Sequence, residues 1–484
     1  MERSKNKKST FLYFLVTVVI LGLTFFFLEQ TIITDVTPGY YFDPLTLSNQ
    51  MMVAGIIVTL VSIFSGFVVR RIRLSINGIF LCIILGAVFL ASLINIIMIP
   101  RVQELSVRFM DGTFNTIRLE LPNRMRLTAI MALVVNFSFI FFVVLVLPNH
   151  HSFLKLVFFF VASIIILTFI AIGYSIVTEW DKYLTIMKEG YENSTQVPAS
   201  FFNNRNPYAS FLLSSQIMLF FIYYLNVKKK RRYFYILLQI PLVFAINFTF
   251  SKTNLLLANF LVLLVFLHHL IMLLVKGKVF RFGLELFIAL ILIVGLIVFR
   301  FSPALIDTKI ALYLRRTIPD ALFDLAPRSF EARKELWYYA ITLIVSNPIT
   351  FIFGDGPHIS RYFYHLRIEQ EISGAISMGF GDYHNGTIEV MHTFGVSGVI
   401  IYGLIILFVI IMLLRRSKTD RSLTFFTILS LAVFLFRSQM ESLAILLFKS
   451  EGIMASLTFV MPCLYLLRKS HDAGFGKEIQ MKKD

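Results

Sequence analysis

Charge is what this sequence has least of. Asp, Glu, Lys and Arg make up 15% of its 484 residues, against about 25% in a soluble domain. Acids are the scarcer sign, 28 against 45 bases, for a net charge of +17. Cysteine is nearly missing: Cys82 and Cys463 are the whole complement. Two lone thiols exclude a disulfide framework and a cysteine metal site, and both fall in apolar runs where they read as small apolar residues. The apolar runs lack period-two alternation, which excludes a transmembrane β-barrel. An internal repeat of the kind that builds transporters is missing too. The tail after residue 467 is too short for a soluble sensory domain. Lys and Arg abut the apolar runs instead of building a face, so the positive balance gives no footprint for nucleic acid.

What the chain has in excess is apolar surface. Hydrophobic residues reach 57% and mean hydropathy is +0.78. They come in blocks of about 17–25 residues, each long enough to cross a hydrocarbon layer roughly 30 Å thick. Lipid cannot satisfy bare backbone groups, so such blocks must be helices. The spans read as 11–28, 49–69, 78–100, 127–147, 156–177, 209–226, 233–250, 254–275, 283–301, 386–414, 422–438 and 443–467. Segment 338–353 is apolar but short and reads as a partly inserted helix. The first block follows basic residues as a signal peptide does, but no small-residue cleavage site follows Leu28, so it reads as an uncleaved span. The fold expected is an all-α polytopic membrane protein of about twelve helices. Residues 1–301 hold spans one to nine, 302–385 form an extracytoplasmic loop with membrane-surface helices, 386–467 hold the last three spans, and 468–484 form a cytoplasmic tail.

Orientation follows from charge. With the N-terminus inside, the seven inner segments hold 25 Lys and Arg against five acids (Glu2, Asp420, Asp472, Glu478 and Asp484), a balance of +20. This exceeds the charge of the whole chain and is the positive-inside pattern. Both termini are expected in the cytoplasm, and the long loop outside.

Four outer segments exceed a tight turn. Residues 29–48 carry Glu29, Asp35 and Asp43 without Lys or Arg. In 101–126, Leu105, Val107 and Phe109 alternate before Asp111-Gly112, and Ile117, Leu119 and Leu121 after it, which predicts a β-hairpin. Residues 178–208 end in Phe201-Phe202-Asn203-Asn204-Arg205-Asn206-Pro207. In the long loop, Ser329 is placed to cap a helix from Phe330, with Glu331 in its first turn. Arg333 and Trp337 share a face of this helix. It stops at Asn347-Pro348 and gives way to the turn Gly354-Asp355-Gly356-Pro357. Asp382-Tyr383-His384-Asn385-Gly386 then leads into the tenth span, which sets His384 at the water boundary.

The order Arg333-x3-Trp337, Pro348, Gly354-Asp355-Gly356, His384-Asn385 and Gly395-x2-Gly398 resembles the bacterial O-antigen ligase and O-antigen polymerase superfamily. Asn206-Pro207-Tyr208-Ala209 at the sixth span and Ser251-Lys252-Thr253 before the eighth fit the same pattern, over roughly residues 200–400. The departure is Lys252, where the family commonly has arginine; charge is kept and bidentate phosphate recognition lost. The resemblance implies glycosyl transfer on the outer face of the bacterial cytoplasmic membrane. An undecaprenyl-diphosphate-linked oligosaccharide is the donor, and another lipid-linked unit or a lipid-A core the acceptor. The loose spacing of the motifs favours a repeat-unit polymerase over a ligase. No cofactor or metal is expected. Membrane lipid, a chain-length regulator and a flippase are the expected partners.

Charge developing on the departing diphosphate calls for fixed cations at headgroup level, and Arg205, Lys252 and Arg333 are on that side. The acceptor hydroxyl calls for a base with a pKa near ambient pH, a role that fits His384. Asn385 is the accompanying substrate contact, and Glu389, a carboxylate inside a span, is a second catalytic candidate that pairs an arginine. Boundary Arg and Lys also snorkel to headgroups, and His384-Asn385 also serves as a helix cap. His392, deeper in the span, reads as a satisfied core histidine. Arg437 with Glu441, and Lys449 with Glu451, read as structural pairs between the last two spans. The 52 Phe are lipid-facing or core residues, and His358 and His365 stay without a role. A lipid-linked oligosaccharide flippase is the reading from another class.

Overall fold

The structure, a computed structural model, describes residues 76–108, 114–122, parts of 123–137, 153–189, 197–202, 205–225, 232–301, 327–356, 359, 383–416, 420–441 and 455–466. In chain order these form α1 (Ile76–Met98), β1 (Val102–Arg108), β2 (Phe114–Glu120), α2 (Phe153–Thr178), α3 (Trp180–Glu189), α4 (Arg205–Leu225), α5 (Arg232–Leu237), α6 (Gln239–Thr249), α7 (Lys252–Val275), α8 (Val279–Phe301), α9 (Pro327–Ser346), α10 (Pro348–Phe353), α11 (Gly386–Arg416) and α12 (Arg421–Met440). A final apolar helix covers Ala455–Leu466. Five helices among the described residues are long and apolar enough to cross a membrane: Val161–Thr178 of α2, α4, α7, Gly386–Arg415 of α11, and α12. The predicted spans 11–28 and 49–69 lie outside the described residues, as do parts of 127–147 and 443–467.

The hairpin predicted between residues 101 and 126 is present. β1 and β2 pair antiparallel, from Val102 opposite Glu120 to Arg108 opposite Phe114. The Asp111-Gly112 turn itself lies outside the described residues. This hairpin is the one departure from an all-helical chain among them. The span predicted at 233–250 is divided into α5 and α6 at Leu238. Pro241 has no N–H to donate to the carbonyl of Leu237, and its ring crowds that carbonyl, so the ladder breaks there. α9 starts at Pro327, three residues ahead of the predicted Phe330. Proline suits a first helical position, where no intrahelical donor is needed, so Ser329 falls inside the first turn instead of capping it.

The described residues fall into two compact units, one of residues before 161 with those from 331 on, the other of residues 161–330. In the second unit α4 is the centre, packed by α5, α6 and α7. Its buried face carries Ser210, Ser214, Ser215 and Gln216. Thr168 Oγ1 donates to Ser215 Oγ at 2.7 Å, and Gln216 Nε2 reaches the Ala258 carbonyl at 3.2 Å. Small and hydrogen-bonding residues at helix contacts are what holds helices together where lipid is as apolar as leucine. Contacts 216–258, 223–269 and 224–268 advance together along α4 and α7, so these two helices run parallel and start at the same end.

In the first unit α11 packs against α12, α10 and α1. It is broken at Gly395, where φ 69 and ψ −171 leave helical geometry. The break is filled by the turn after α10. Asp355 N–H donates to the His392 carbonyl at 2.8 Å, and Gly356 N–H to the Thr393 carbonyl at 2.9 Å. Asn95 of α1 donates its side-chain amide to the Gly354 carbonyl. The approach is so close that a Cβ on Gly395 would meet the Ile352 carbonyl carbon at 2.2 Å, and one on Gly354 the Thr393 backbone at 2.3 Å.

Gly395→Ala is therefore expected to destabilise the protein by at least about 2 kcal/mol, since the conformation is open to glycine and strained for other residues and the methyl group has no room. Thermal melting of the detergent-extracted protein reads this; a midpoint within a degree of wild type would contradict it.

Candidate functional site

Left-handed backbone lies at or shortly before three of the candidate residues. Among the described residues three non-glycine positions have positive φ: Ser200 at 56, Phe250 at 50 and His384 at 47. Ser200 precedes the start of α4 at Arg205, Phe250 stands two residues before Lys252, and the third is a candidate itself. Such residues cost of order 1–3 kcal/mol each and persist where the surroundings over-determine them, as at functional turns.

In the second unit Arg205 and Lys252 are the first residues of α4 and α7. The helices are parallel, and Tyr223 and His269, which face each other at 3.3 Å, lie 18 residues after Arg205 and 17 after Lys252. The two cations thus stand at the same end and nearly the same level. The turn before Lys252 is held by Asn254 Nδ2 donating to Ser251 Oγ at 3.0 Å and by Ser251 N–H donating to Thr249 Oγ1 at 3.3 Å.

The approach to Arg205 is held by a residue that sequence reading missed. Glu179 accepts from Ser200 N–H at 2.7 Å, Ala199 N–H at 3.1 Å, Ser175 Oγ at 2.7 Å and Lys182 Nζ at 2.7 Å. Beyond this clamp Phe202 stacks on Phe201 and Tyr208, at 4.9 and 5.8 Å between ring centres. The only advance signal was an acid just past a span. At the opposite end of α4 and α7, His269 bonds Glu285 at 2.9 Å, which also pairs Arg281 at 2.7 Å, while Tyr224 meets His268 at 3.0 Å.

In the first unit the side chains gather where α11 begins. Asn385 is the N-cap of α11: its Oδ1 accepts from Thr387 N–H at 3.0 Å and Ile388 N–H at 3.1 Å, the arrangement that satisfies orphan donors at a helix start. Its Nδ2 lies 3.4 Å from the Gln439 carbonyl, and Gln439 Nε2 donates to Thr387 Oγ1 at 3.0 Å. The capping role of the His384-Asn385 pair thus belongs to Asn385, and His384 is left half-buried just outside the helix. Trp337 Nε1 donates to the Tyr383 carbonyl at 2.8 Å. Arg333, one turn earlier on that face, has Nη1 4.0 Å from Met440 Sδ. Arg333, His384 and Asn385 are in this way brought together around the end of α12.

Glu389 lies one turn into α11 and is buried, with Oε2 lacking a hydrogen-bond partner among the described residues. The expected arginine pair does not form among them. Arg437 does pair Glu441, at 3.1 Å and with the arginine almost fully buried, but along one helix end and not between two spans. Lys449 and Glu451 lie outside the described residues. His392 is fully buried and satisfied, as its position predicts: Nδ1 is 2.7 Å from Tyr383 Oη and Nε2 is 3.0 Å from Asp355 Oδ2. Asp355 was legible only as a turn residue. Among the described residues no group of three or more His, Cys, Asp or Glu side chains is placed to hold a metal ion.

Residues 237–403 match the family model for O-antigen ligase. Over this stretch the chain is similar to the O-antigen ligase family. The O-antigen ligase match takes in Lys252, Arg333, His384, Asn385 and Glu389, as well as Asp355 and His392; Arg205 precedes it. No curated protein matches the chain. The matched family and the long apolar helices together make this a multi-pass membrane protein.

Glu179 gives the site a measurable pH signature. Burial opposes its charge, but donors from Lys182, Ser175, Ser200 and Ala199 outweigh burial and hold the carboxyl below its ordinary 4.5. A depressed folded pKa means stability that is full above the unfolded value and lost as pH falls through the folded one. The melting difference between wild type and Glu179→Gln should be constant at neutral pH and shrink as pH drops below about 4.5. A difference that stays level down to pH 3 would remove the clamp from the account.

Proposed function

We propose that the protein polymerises undecaprenyl-diphosphate-linked oligosaccharide repeat units for a surface polysaccharide, on the outer face of the cytoplasmic membrane. The observation that carries this reading is the coincidence of strained turns with candidate chemistry inside the O-antigen ligase match: Phe250 before Lys252, and His384 itself. His384 takes the proton from an acceptor sugar hydroxyl as that oxygen attacks the anomeric carbon of the donor. The bond from that carbon to the diphosphate breaks, and the electron pair leaves with the polyprenyl diphosphate. Arg205, Lys252 and Arg333 stabilise the charge that develops there. Side-chain cations do the work that a metal does for other diphosphate leaving groups. Asn385 contributes by fixing the helix start beside the base.

A second reading keeps the same chemistry and changes the acceptor. The matched family's description is O-antigen ligase, which favours transfer of a finished glycan to a lipid acceptor. The two readings separate on the product: longer lipid-linked glycan for a polymerase, glycan on a new lipid for a ligase. A flippase would leave the glycan length and its carrier unchanged.

Both readings require the long loop to be outside. Cysteine introduced near residue 320 should react with a membrane-impermeant maleimide in intact cells, and one near residue 230 should not. The reverse labelling would overturn the topology and the assignment of side with it.

His384→Ala should leave the protein inserted at normal level, because the helix cap belongs to Asn385. Polymer formed per molecule of purified enzyme should fall about a hundredfold or more, the loss expected on removing a general base, while single lipid-linked units accumulate in cells. Near-normal turnover by His384→Ala would move the role to Glu389.

A further inference from the structure

His384 hangs between two residues that are each fixed from several directions. On one side, Tyr383 is buried, its carbonyl takes the Trp337 N–H, and its hydroxyl meets His392. On the other, Asn385 is tied into the cap and to Gln439. A residue in left-handed backbone without glycine's freedom needs such restraint.

The restraint through Tyr383 continues inward as a single file of hydrogen bonds. Thr350 Oγ1 donates to Asp355 Oδ1 at 2.8 Å. Asp355 Oδ2 faces His392 Nε2 at 3.0 Å, and His392 Nδ1 faces Tyr383 Oη at 2.7 Å. Both ring nitrogens of His392 are thus engaged, one by Asp355 and the other by Tyr383. Asp355 and His392 are also the residues whose backbone groups meet across the break in α11. The file is thus anchored at its inner end to the backbone contact that covers the break in α11.

We propose that Asp355, His392 and Tyr383 form a positioning relay that sets the backbone of His384 and thereby aims its imidazole at the acceptor hydroxyl. None of the three is a catalytic residue: all are buried, and they act on His384 through bonds and not on substrate. The proposal rests on the reading of His384 as the base. The relay explains a feature that a plain staple between α10 and α11 does not. A staple needs only the backbone bonds at Asp355 and Gly356, whereas the side chains extend the contact to the residue next to His384.

The test uses full-length protein in detergent, with two readouts. One is turnover and KM on lipid-linked repeat units extracted from the producing cells. The other, blind to function, is the rate at which diethyl pyrocarbonate modifies His384, read by peptide mass spectrometry. Tyr383→Phe keeps the buried ring and the carbonyl and loses only the hydroxyl. It should melt like wild type and keep KM within about twofold, while kcat falls about 10–100-fold, as misplacing a reacting group does. The His384 modification rate should change at least about threefold, since the modification reports the same imidazole geometry. If both kcat and modification stay near wild type while His384→Ala is dead, the relay is overturned and the base reading survives. If His384→Ala remains active, the base reading fails, and an unchanged modification rate in Tyr383→Phe would overturn the relay as well. Should Tyr383→Phe fail to fold, Thr350→Val, which removes one donor at the far end of the file, is judged by the same two readouts.

Discussion

A helix broken inside a membrane-spanning segment leaves carbonyls that neither lipid nor the helix can satisfy, and the first unit is arranged around that fact. The break at Gly395 frees the carbonyls of His392 and Thr393 from the i→i−4 ladder. The turn Asp355-Gly356 supplies the two N–H groups that replace the lost ones. Non-helical backbone at such depth is tolerated where protein covers it, and here the cover is α10 with its following turn. The contact is possible because Gly354 and Gly395 both lack a side chain at the point of closest approach. Once the turn is fixed against α11, the Asp355 carboxylate stands against His392, and the polar file toward Tyr383 follows from that placement.

The same constraint explains what could be read in advance. Span positions were legible because each is dictated locally, by the length of apolar sequence the bilayer demands. α1, α2, α4, α7, α11 and α12 lie within a few residues of their predicted limits. Asn347-Pro348 was legible as a stop because proline cannot continue a helix, and the structure uses the pair twice, ending α9 and capping α10 through Asn347 Oδ1. The hairpin was legible from alternation. The break at Gly395 was not, because glycine inside an apolar helix is common in membrane proteins and only a distant backbone pressed against it turns it into a break. The pairing of Asp355 with His392 was hidden for the same reason, since the two are 37 residues apart. Arg437 and Glu441 were paired correctly but placed across two spans, because the predicted span ended at 438 and left the glutamate in a loop; the helix runs to Met440 and the pair lies along it.

Four of the candidate residues, Arg205, Lys252, His384 and Glu389, share a physical trait that neither spacing nor burial displays by itself: each stands where its local structure is under tension. Arg205 and Lys252 open helices, and a cation there opposes the macrodipole by about 0.3–1 kcal/mol. His384 sits in left-handed backbone, and Glu389 is a buried carboxylate inside an apolar segment. A structural role accounts poorly for this, since a headgroup anchor gains nothing from a helix start, and a packing residue gains nothing from charge. An anionic diphosphate at the starts of α4 and α7 would reverse the sign of the electrostatic term, because the same amide dipoles that repel a cation attract the phosphate held beside it. In the proposed reading placements that are unfavourable on their own become favourable ones when the lipid-linked donor arrives. The binding energy is then directed at the diphosphate, where charge grows as the glycosidic bond breaks.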